Sequence, residues 1–547
     1  MKFNLLRDQW IPVSSAGSLR RISLRELLTS EKPCSLAHPR SELELSTAQM
    51  LSALCQTVFT PKTDAELVRR FRTPLKDGEY DEMAAPFLEW FDVCGDDRDR
   101  KYFMQGLLCP ETEESKEDRK ITGMQKLFPG LPEGGESGCL NVARDRIRRI
   151  CPSCAAMALF NQASGAPSFG GGFKVSLRGE SPLTTMVYNR DARKMAWANV
   201  LSMENETAGM LFSADRNNLP SWIDPPKAIT NAQKKAKDKN GKSKYTEPVV
   251  DSSKFGFLRG LFWQPLSLEI LWTERKHPVA CDVCGLEHTI SAEGFFKQQA
   301  YFIYSPAYWA VHPYSPFALK KGKKGAPSEL IPLTAKKAVP AWTMLGDIFP
   351  PENTGGVWSC AVENYKRVFA SEQGALPLAI GGYKNEKSKI EQRRHEIVSL
   401  AAGWDNNIEE IRKIVAFGTS VLYTVLFGAV NAFYDKGDPK VKTALKSRTE
   451  ELYYAATELE IKAMIADTSE NFAVPVIKSR LSRFQGIVRD VLGEVLSVYS
   501  DTSFKLRDIV RAEDAADRLF YRNIKQKYDP SPKGPAGAKT KKGKVNG

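Results

Sequence analysis

Histidine is the scarcest informative residue in this chain, with five in 547 positions. The sequence contains no H-E-x-x-H, no G-x-S-x-G and no paired-carboxylate cluster in a loop, so the common zinc-protease, serine-hydrolase and acid–base signatures are missing. Neither G-x-x-x-x-G-K-[ST] nor G-x-G-x-x-G occurs, which removes the usual nucleotide cradles. Long apolar runs are also lacking. The most apolar stretch, 414–430, is marginal for a membrane span and is interrupted by Gly418, Thr419, Ser420 and Thr424, so a buried helix is expected there. The N-terminal run is broken by Arg7, Asp8 and Gln9 and is too polar for a secretory signal. A soluble, cytoplasmic protein without a membrane partner is the expectation. Ten cysteines in a chain of this size do not make a disulfide scaffold.

What is present is ordinary globular material. The chain is 42% hydrophobic and 26% charged, with 27 Phe, 17 Tyr and 10 Trp, which excludes wholesale disorder. The net charge is +13, and it is concentrated. Residues 227–244 carry seven lysines against Asp238, residues 320–324 carry four lysines, and residues 530–547 carry five lysines and no acid. The remaining body is close to neutral. Such segments suit a polyanion, and equally suit solvated loops and a solubilising tail.

The periodicity predicts a short β unit over the first 30 residues, a helix over 41–59 with Ser41 as N-cap, and another short helix near 85–95. From about 100 to 390 short apolar runs alternate with Gly and Pro, as in a loop-rich mixed α/β body. The stretch 227–246 is expected to be a mobile lysine-rich insertion. Four helical segments of roughly 20–27 residues follow, the signature of a helical bundle. The expected architecture is therefore α+β: a loop-rich mixed α/β domain over 1–395 with a structural zinc site, a four-helix bundle over 396–528, and a disordered basic tail over 529–547.

The strongest local signal is a pair of C-x-x-C motifs, Cys151-Pro-Ser-Cys154 and Cys281-Asp-Val-Cys284. Each supplies two thiolates from one tight turn, and four thiolates complete a tetrahedral zinc shell with no open position for catalysis. A redox dithiol or simple burial remains an alternative. Gly285 suits the turn after the last ligand. Two glycine motifs follow. Phe169-Gly170-Gly171-Gly172-Phe173-Lys174 permits close backbone approach to a DNA groove or a phosphate, with Lys174 adding charge; a tight strand connection is the bland alternative. Gly381-Gly382-Tyr383-Lys384-Asn385-Glu386-Lys387-Ser388, leading into Arg393-Arg394-His395, makes a groove-reading hairpin or a polar turn before a basic helix. Residues 254–260 are taken as a core strand.

Taken together, NLLRDQWIPV at the N-terminus, CPSCAAMALFNQASGAPSFGGGFKVSLRG over 151–179, FGFLRGLFWQP over 255–265, the second C-x-x-C-G and LAIGGYKNEKSKIEQRRH over 378–395 are similar to one family. It is the large subunit (CasA) of the type I-E CRISPR surveillance complex, Cascade. The resemblance implies a non-catalytic subunit that recognises the protospacer-adjacent motif (PAM) in double-stranded DNA, helps open the duplex for guide RNA pairing, and recruits the helicase-nuclease. It assigns structural zinc to Cys151, Cys154, Cys281 and Cys284. It assigns minor-groove approach to Gly171, with Gly170 and Gly172 beside it. The family's wedge is a Gln-Ala pair, and that position here is Lys387-Ser388, preceded by Glu386. The family's PAM-reaching lysine falls by counting on Gln299, with Lys297 two residues earlier. The segment 128–150, with Asn141, Arg144, Arg146 and Arg148, is implied to meet the 5′ handle of the CRISPR RNA, and the other Cascade subunits are the implied protein partners. The reading from another class is a zinc-containing nuclease or nucleotidyl transferase. A carboxylate cluster around a divalent metal would distinguish it.

Overall fold

The computed structural model describes residues 2–530 except 16, 98–99, 111–119, 130, 132–145, 171–172, 238, 243–244, 323–326, 336–338, 370–373, 387–388, 435–437, 469–471 and 500–505, and the side chains of 41, 42, 386, 389 and 391. The chain divides into two compact units. One comprises residues 1–341 and 347–399, and the other comprises 342–346 and 400–547. The expected tail falls mostly on 531–547, outside the described residues.

The first unit is mixed α/β. Ile11–Ser15 pairs antiparallel with Ser18–Ile22, as the alternating apolar residues before and after the Ser-Ser-Ala-Gly turn require. The helix Ser41–Val58 follows, with Arg40 rather than Ser41 as its N-cap. Its apolar positions Leu43, Ala48, Leu51, Leu54 and Val58 are all buried. The expected helix near 85–95 is instead a 3-10 turn, Ala85–Phe91, running into the strand Asp92–Cys94. Phe91 on that turn joins an aromatic cluster with Phe103, Trp222 and Phe262, ring centroids 5.2–6.5 Å apart. Residues 254–260 are not a strand. Ser252–Lys254 is a 3-10 turn and Phe257–Leu261 a helix, with all five helix residues buried. An all-buried apolar run carries no period to separate the two states.

Two antiparallel hairpins organise the rest of this unit. Ser267–Ala280 pairs with Glu287–Gln298, and Thr122–Gly123 adds a third strand. Leu376–Glu386 and Lys389–Leu400 lie beside each other, with Thr184–Val187 on the outer edge of the first. The second of these is the hairpin alternative for 381–395, not the helix start. The lysine-rich stretch carries regular structure at its beginning: Ile229–Thr230 is a strand and Asn231–Lys235 a capped helix.

The second unit is helical. Ile408–Phe433 contains a π-helical stretch at Val421–Leu426, and is followed by Pro439–Asp467, Ala473–Ser497 and a helix over 506–528. Asp438 and Pro439, a break in the apolar pattern, start the second helix: the Asp438 carboxylate accepts from Lys440 N (2.8 Å) and Pro439 takes the first position, where its missing N–H costs nothing. The first helix is apolar enough to cross a membrane by length and composition, but Ile411, Ile414, Phe417, Val421, Leu422 and Val425 are buried inside the unit. Trp342, from the short segment of this unit, packs at Gly418, where an added Cβ would lie 2.9 Å from its ring.

Candidate metal centre and nucleic-acid interface

The helix Pro152–Ser164 links the candidate sites. Pro152 opens it, Gly165 ends it, and all thirteen residues are buried. Cys151 and Cys154 are one turn apart and so face the same way. Cys281 and Cys284 lie in the turn joining Ser267–Ala280 to Glu287–Gln298. Gly285 closes that turn at φ +73°, with its N–H bonded to Cys281 O at 2.8 Å. The four sulfurs lie within 4.8 Å of one another. Cys151 and Cys284 Sγ are 4.0 Å apart, which excludes a disulfide and matches the edge of about 3.8 Å that a tetrahedron of Zn–S bonds near 2.3 Å would have. The four can therefore hold a metal ion.

Charge around the cluster suits that role. Arg21, on the strand Ser18–Ile22, reaches Cys154 Sγ at 3.3 Å and Cys151 Sγ at 3.5 Å, and donates to Ser153 Oγ at 2.7 Å. A cation there offsets the excess negative charge of four thiolates on a divalent ion. Burial pushes the Cys151 thiol up, but hydrogen bonds from Cys154, Cys281 and Cys284 outweigh it and hold Cys151 well below the ordinary thiol value. The Asp282 carboxylate accepts from the backbone N–H of Arg148 and Arg149, both at 2.8 Å, and so ties the segment before the first motif to the second. Neither Arg21 nor Asp282 announces itself in the sequence, although Asp282 lies between the two cysteines.

At the other end of the helix the chain passes into the glycine loop. Ile150 bridges to Ala292, so the helix starts level with the middle of Glu287–Gln298. The helix's rise of about 20 Å and the run of about 17 Å from Ala292 to Lys297 then end near each other. Phe169 and Phe173 meet edge to face at 5.5 Å, and Phe295 of the strand lies 6.0 Å from Phe169. The Lys297 ammonium sits 5.8 Å from both loop rings, and Lys126 sits 5.1 Å from Phe169. Gly170 has φ +120° and open space where a side chain would be, while Gly171 and Gly172 lie outside the described residues. Lys174 follows, 3.9 Å from Glu247 and 5.7 Å from the Phe302 ring, and burial lowers its pKa. Gln299 accepts from the Tyr301 hydroxyl at its Oε1, 3.2 Å away. The structure thus brings Lys297 onto those rings, and adds Lys126, which sequence reasoning missed.

The hairpin 376–400 corrects two expected contact residues. Tyr383 is buried, with its hydroxyl 3.0 Å from Asn161 Nδ2 on the cysteine helix. Asn385 is buried as well, its N–H donating to Ser181 Oγ at 3.3 Å. Strand alternation puts 383 and 385 on one face, and that face packs inward, so neither side chain is displayed to a ligand. Lys384, on the opposite face, is partly exposed. Gly381 and Gly382 serve packing: a Cβ on Gly382 would lie 2.6 Å from Pro182 O, and one on Gly381 would lie 2.9 Å from Arg394 O. The Glu386 side chain, Lys387 and Ser388 lie outside the described residues, as do Asn141 and Arg144; Arg146 and Arg148 are exposed.

The model of the family described as CRISPR-associated protein Cse1 matches residues 4–491. Solved structures share the fold. Cse1 from Acidimicrobium ferrooxidans aligns with 97% of this chain and 99% of its own, at 14% identity and TM-score 0.67. CasA from Thermus thermophilus aligns with 95% of this chain and 100% of its own, at 16% identity and TM-score 0.68. A chain of a CRISPR RNA-guided surveillance complex aligns with 95% of this chain and 99% of its own, at 14% identity and TM-score 0.61. With a family match over most of its length and the same fold throughout, this chain belongs to the CRISPR-associated Cse1 (CasA) family of type I-E Cascade large subunits.

Proposed function

We propose that the chain is the non-catalytic subunit of a type I-E CRISPR RNA-guided surveillance complex that recognises the PAM in double-stranded DNA, helps open the duplex for guide RNA pairing, and recruits the helicase-nuclease. The supporting observation is the convergence of Lys126 and Lys297, from separate elements, on the Phe169 and Phe173 rings that frame the glycine loop. A backbone loop without side chains fits a narrow minor groove, and flanking ammonium groups suit the phosphates on either side. Gly170, Gly171 and Gly172 approach the groove, Lys174 and Lys297 hold the backbone, and Lys387-Ser388 act as the wedge. Lysine suits a wedge because its stem is apolar and its head can reach a phosphate. The guide RNA reads the target by pairing while the protein reads only the short motif.

The bound ion is zinc, held by Cys151, Cys154, Cys281 and Cys284 in a structural role, since four thiolates leave no coordination position for substrate. It secures the start of the cysteine helix to the hairpin that carries Lys297. Arg146 and Arg148, with Asn141 and Arg144, meet the 5′ handle of the CRISPR RNA, and the helices of the second unit form a four-helix bundle that docks on other Cascade subunits in the cytoplasm. The test is a binding series on PAM duplexes beside pre-opened bubble substrates. Gly171→Asp adds a side chain and a negative charge facing phosphate, and should abolish PAM-dependent binding. Lys387→Ala should weaken opening of intact duplex about tenfold and leave bubble binding unchanged. Equal loss on both substrates would make Lys387 a phosphate anchor instead of a wedge.

A further inference from the structure

The lysine-rich stretch after Lys227 has no part in the reading above, yet its root is built into the fold beside the glycine loop. Ile229–Thr230 pairs antiparallel with Ala300–Tyr301. Thr230 then caps the helix Asn231–Lys235 reciprocally: Gln233 N donates to Thr230 Oγ1 at 3.2 Å and Thr230 N to Gln233 Oε1 at 2.8 Å. Lys234 lies 4.2 Å from the centre of the Tyr301 ring and 2.8 Å from Glu247 Oε1. The other oxygen of Glu247 is 3.9 Å from Lys174, the residue directly after Phe173 of the glycine loop. One carboxylate therefore spans the insertion and the loop.

Beyond that root the charge is one-sided. Lys227, Lys235, Lys237, Lys239 and Lys242 are all exposed, and Asp238 is the single acidic residue in the sequence from 227 to 246. A solubilising loop needs no capping box, no stacked lysine and no shared carboxylate. A surface that must hold lysines at a fixed place beside a ligand needs all three, because each contact removes freedom the bound state would otherwise have to take away. Lysines are point charges without a planar recognition face, which suits phosphates and carries no sequence information.

We infer that Lys227, Lys235, Lys237, Lys239 and Lys242 form a second DNA-binding surface, a lysine rail that follows the backbone of the duplex next to the glycine loop and supplies affinity without sequence preference. The inference rests on the proposed reading of the loop, but its readout is separate. The full chain, assembled with its partner subunits and guide RNA, is titrated with a PAM-bearing duplex and a scrambled duplex across a salt series. A Lys235→Gln/Lys237→Gln/Lys239→Gln/Lys242→Gln variant should weaken binding to both duplexes by the same factor. It should also make the slope of log affinity against log salt less negative by about 2 to 4, at roughly 0.9 per phosphate contact. Glu247→Gln should act in the opposite direction, because Lys174 and Lys234 lose a competing carboxylate: both duplexes bind more tightly, and the slope becomes more negative by about 1 to 2. A misfolded variant cannot give that gain. An unchanged slope in the quadruple variant overturns the inference, and so does a loss of guide RNA assembly with the DNA slope intact. If the loop reading itself is wrong, the unmodified protein shows no PAM preference, whereas the slope change still reports the rail.

Discussion

Single side chains inside the first unit show how much is invested in holding its loops. Arg178 is buried with no carboxylate beside it among the described residues. Its guanidinium donates to Ser315 Oγ (2.7 Å), Thr184 Oγ1 (2.9 Å), Leu183 O (3.0 Å) and Ser164 O (3.1 Å), so the last residue of the cysteine helix is fixed by a cation. Burial lowers the Arg178 pKa to about 9, still charged at neutral pH. His312 sits near it, and burial, with the Arg178 charge, lowers its pKa well below the ordinary imidazole value. His38 is pushed down to about 4, mainly by burial. A histidine whose folded pKa is depressed is neutral in the folded state and takes up its proton earlier when unfolded. Its contribution is complete above about pH 6.5 and is lost as pH falls toward the folded value. The expected outcome is a melting temperature that drops between about pH 6.5 and 4. His38→Gln should make that drop shallower, as thermal melts across the range would show; an unchanged pH profile would remove His38 as a cause.

At the scale of elements, the two glycine motifs look alike in sequence and differ in surroundings. Gly382 has φ +155° and its missing Cβ would meet the Pro182 carbonyl oxygen at 2.6 Å, whereas Gly170 faces open space at φ +120°. Gly382→Ala should therefore cost about 2–3 kcal/mol, since backbone must shift, and Gly170→Ala only about 1 kcal/mol of conformational strain. Chemical denaturation of the two variants checks the order, and equal midpoints would contradict it. The hairpin's inward face follows the same logic. Tyr383 is fixed to Asn161 at 3.0 Å, which joins the turn end of the hairpin's first strand to the helix that leads into the glycine loop.

For the whole molecule, the division into two compact units has a thermodynamic consequence. All four cysteines belong to the first unit, while the helices after residue 400 form the second. A closed thiolate site contributes directly to folding. Removing the ion with a strong chelator, or the ligands by Cys281→Ser/Cys284→Ser, should lower the melting transition of the first unit by several degrees and leave the helical transition in place. Elemental analysis should find about one zinc per chain before treatment and none in the double variant. Full retention of metal by that variant would show that the ion sits elsewhere.

The sequence by itself determined the features that local chemistry dictates. Spacing of Leu43, Leu51, Leu54 and Val58 specified the helix Ser41–Val58, and apolar periodicity marked the four helical stretches of the second unit, because a helix repeats every 3.6 residues whatever it packs against. Two C-x-x-C motifs marked, across 126 intervening residues, the four cysteines that the fold brings close enough to hold a metal ion, since cysteines are rare and their chemistry is specific. Tertiary structure alone decided which way a polar strand faces and what surrounds a site. Tyr383 and Asn385 alternate with Lys384 in a pattern that allows either face to be outward, and only packing against Asn161 and Ser181 turned them in. Arg21 and Lys126 reach their sites from elements distant in sequence, so no local pattern marks them. The lysines after 227 suit a polyanion and a solvated loop equally in the sequence, because a charge run carries no information about what it lies against, and the pairing of Ile229–Thr230 with Ala300–Tyr301 is a tertiary fact.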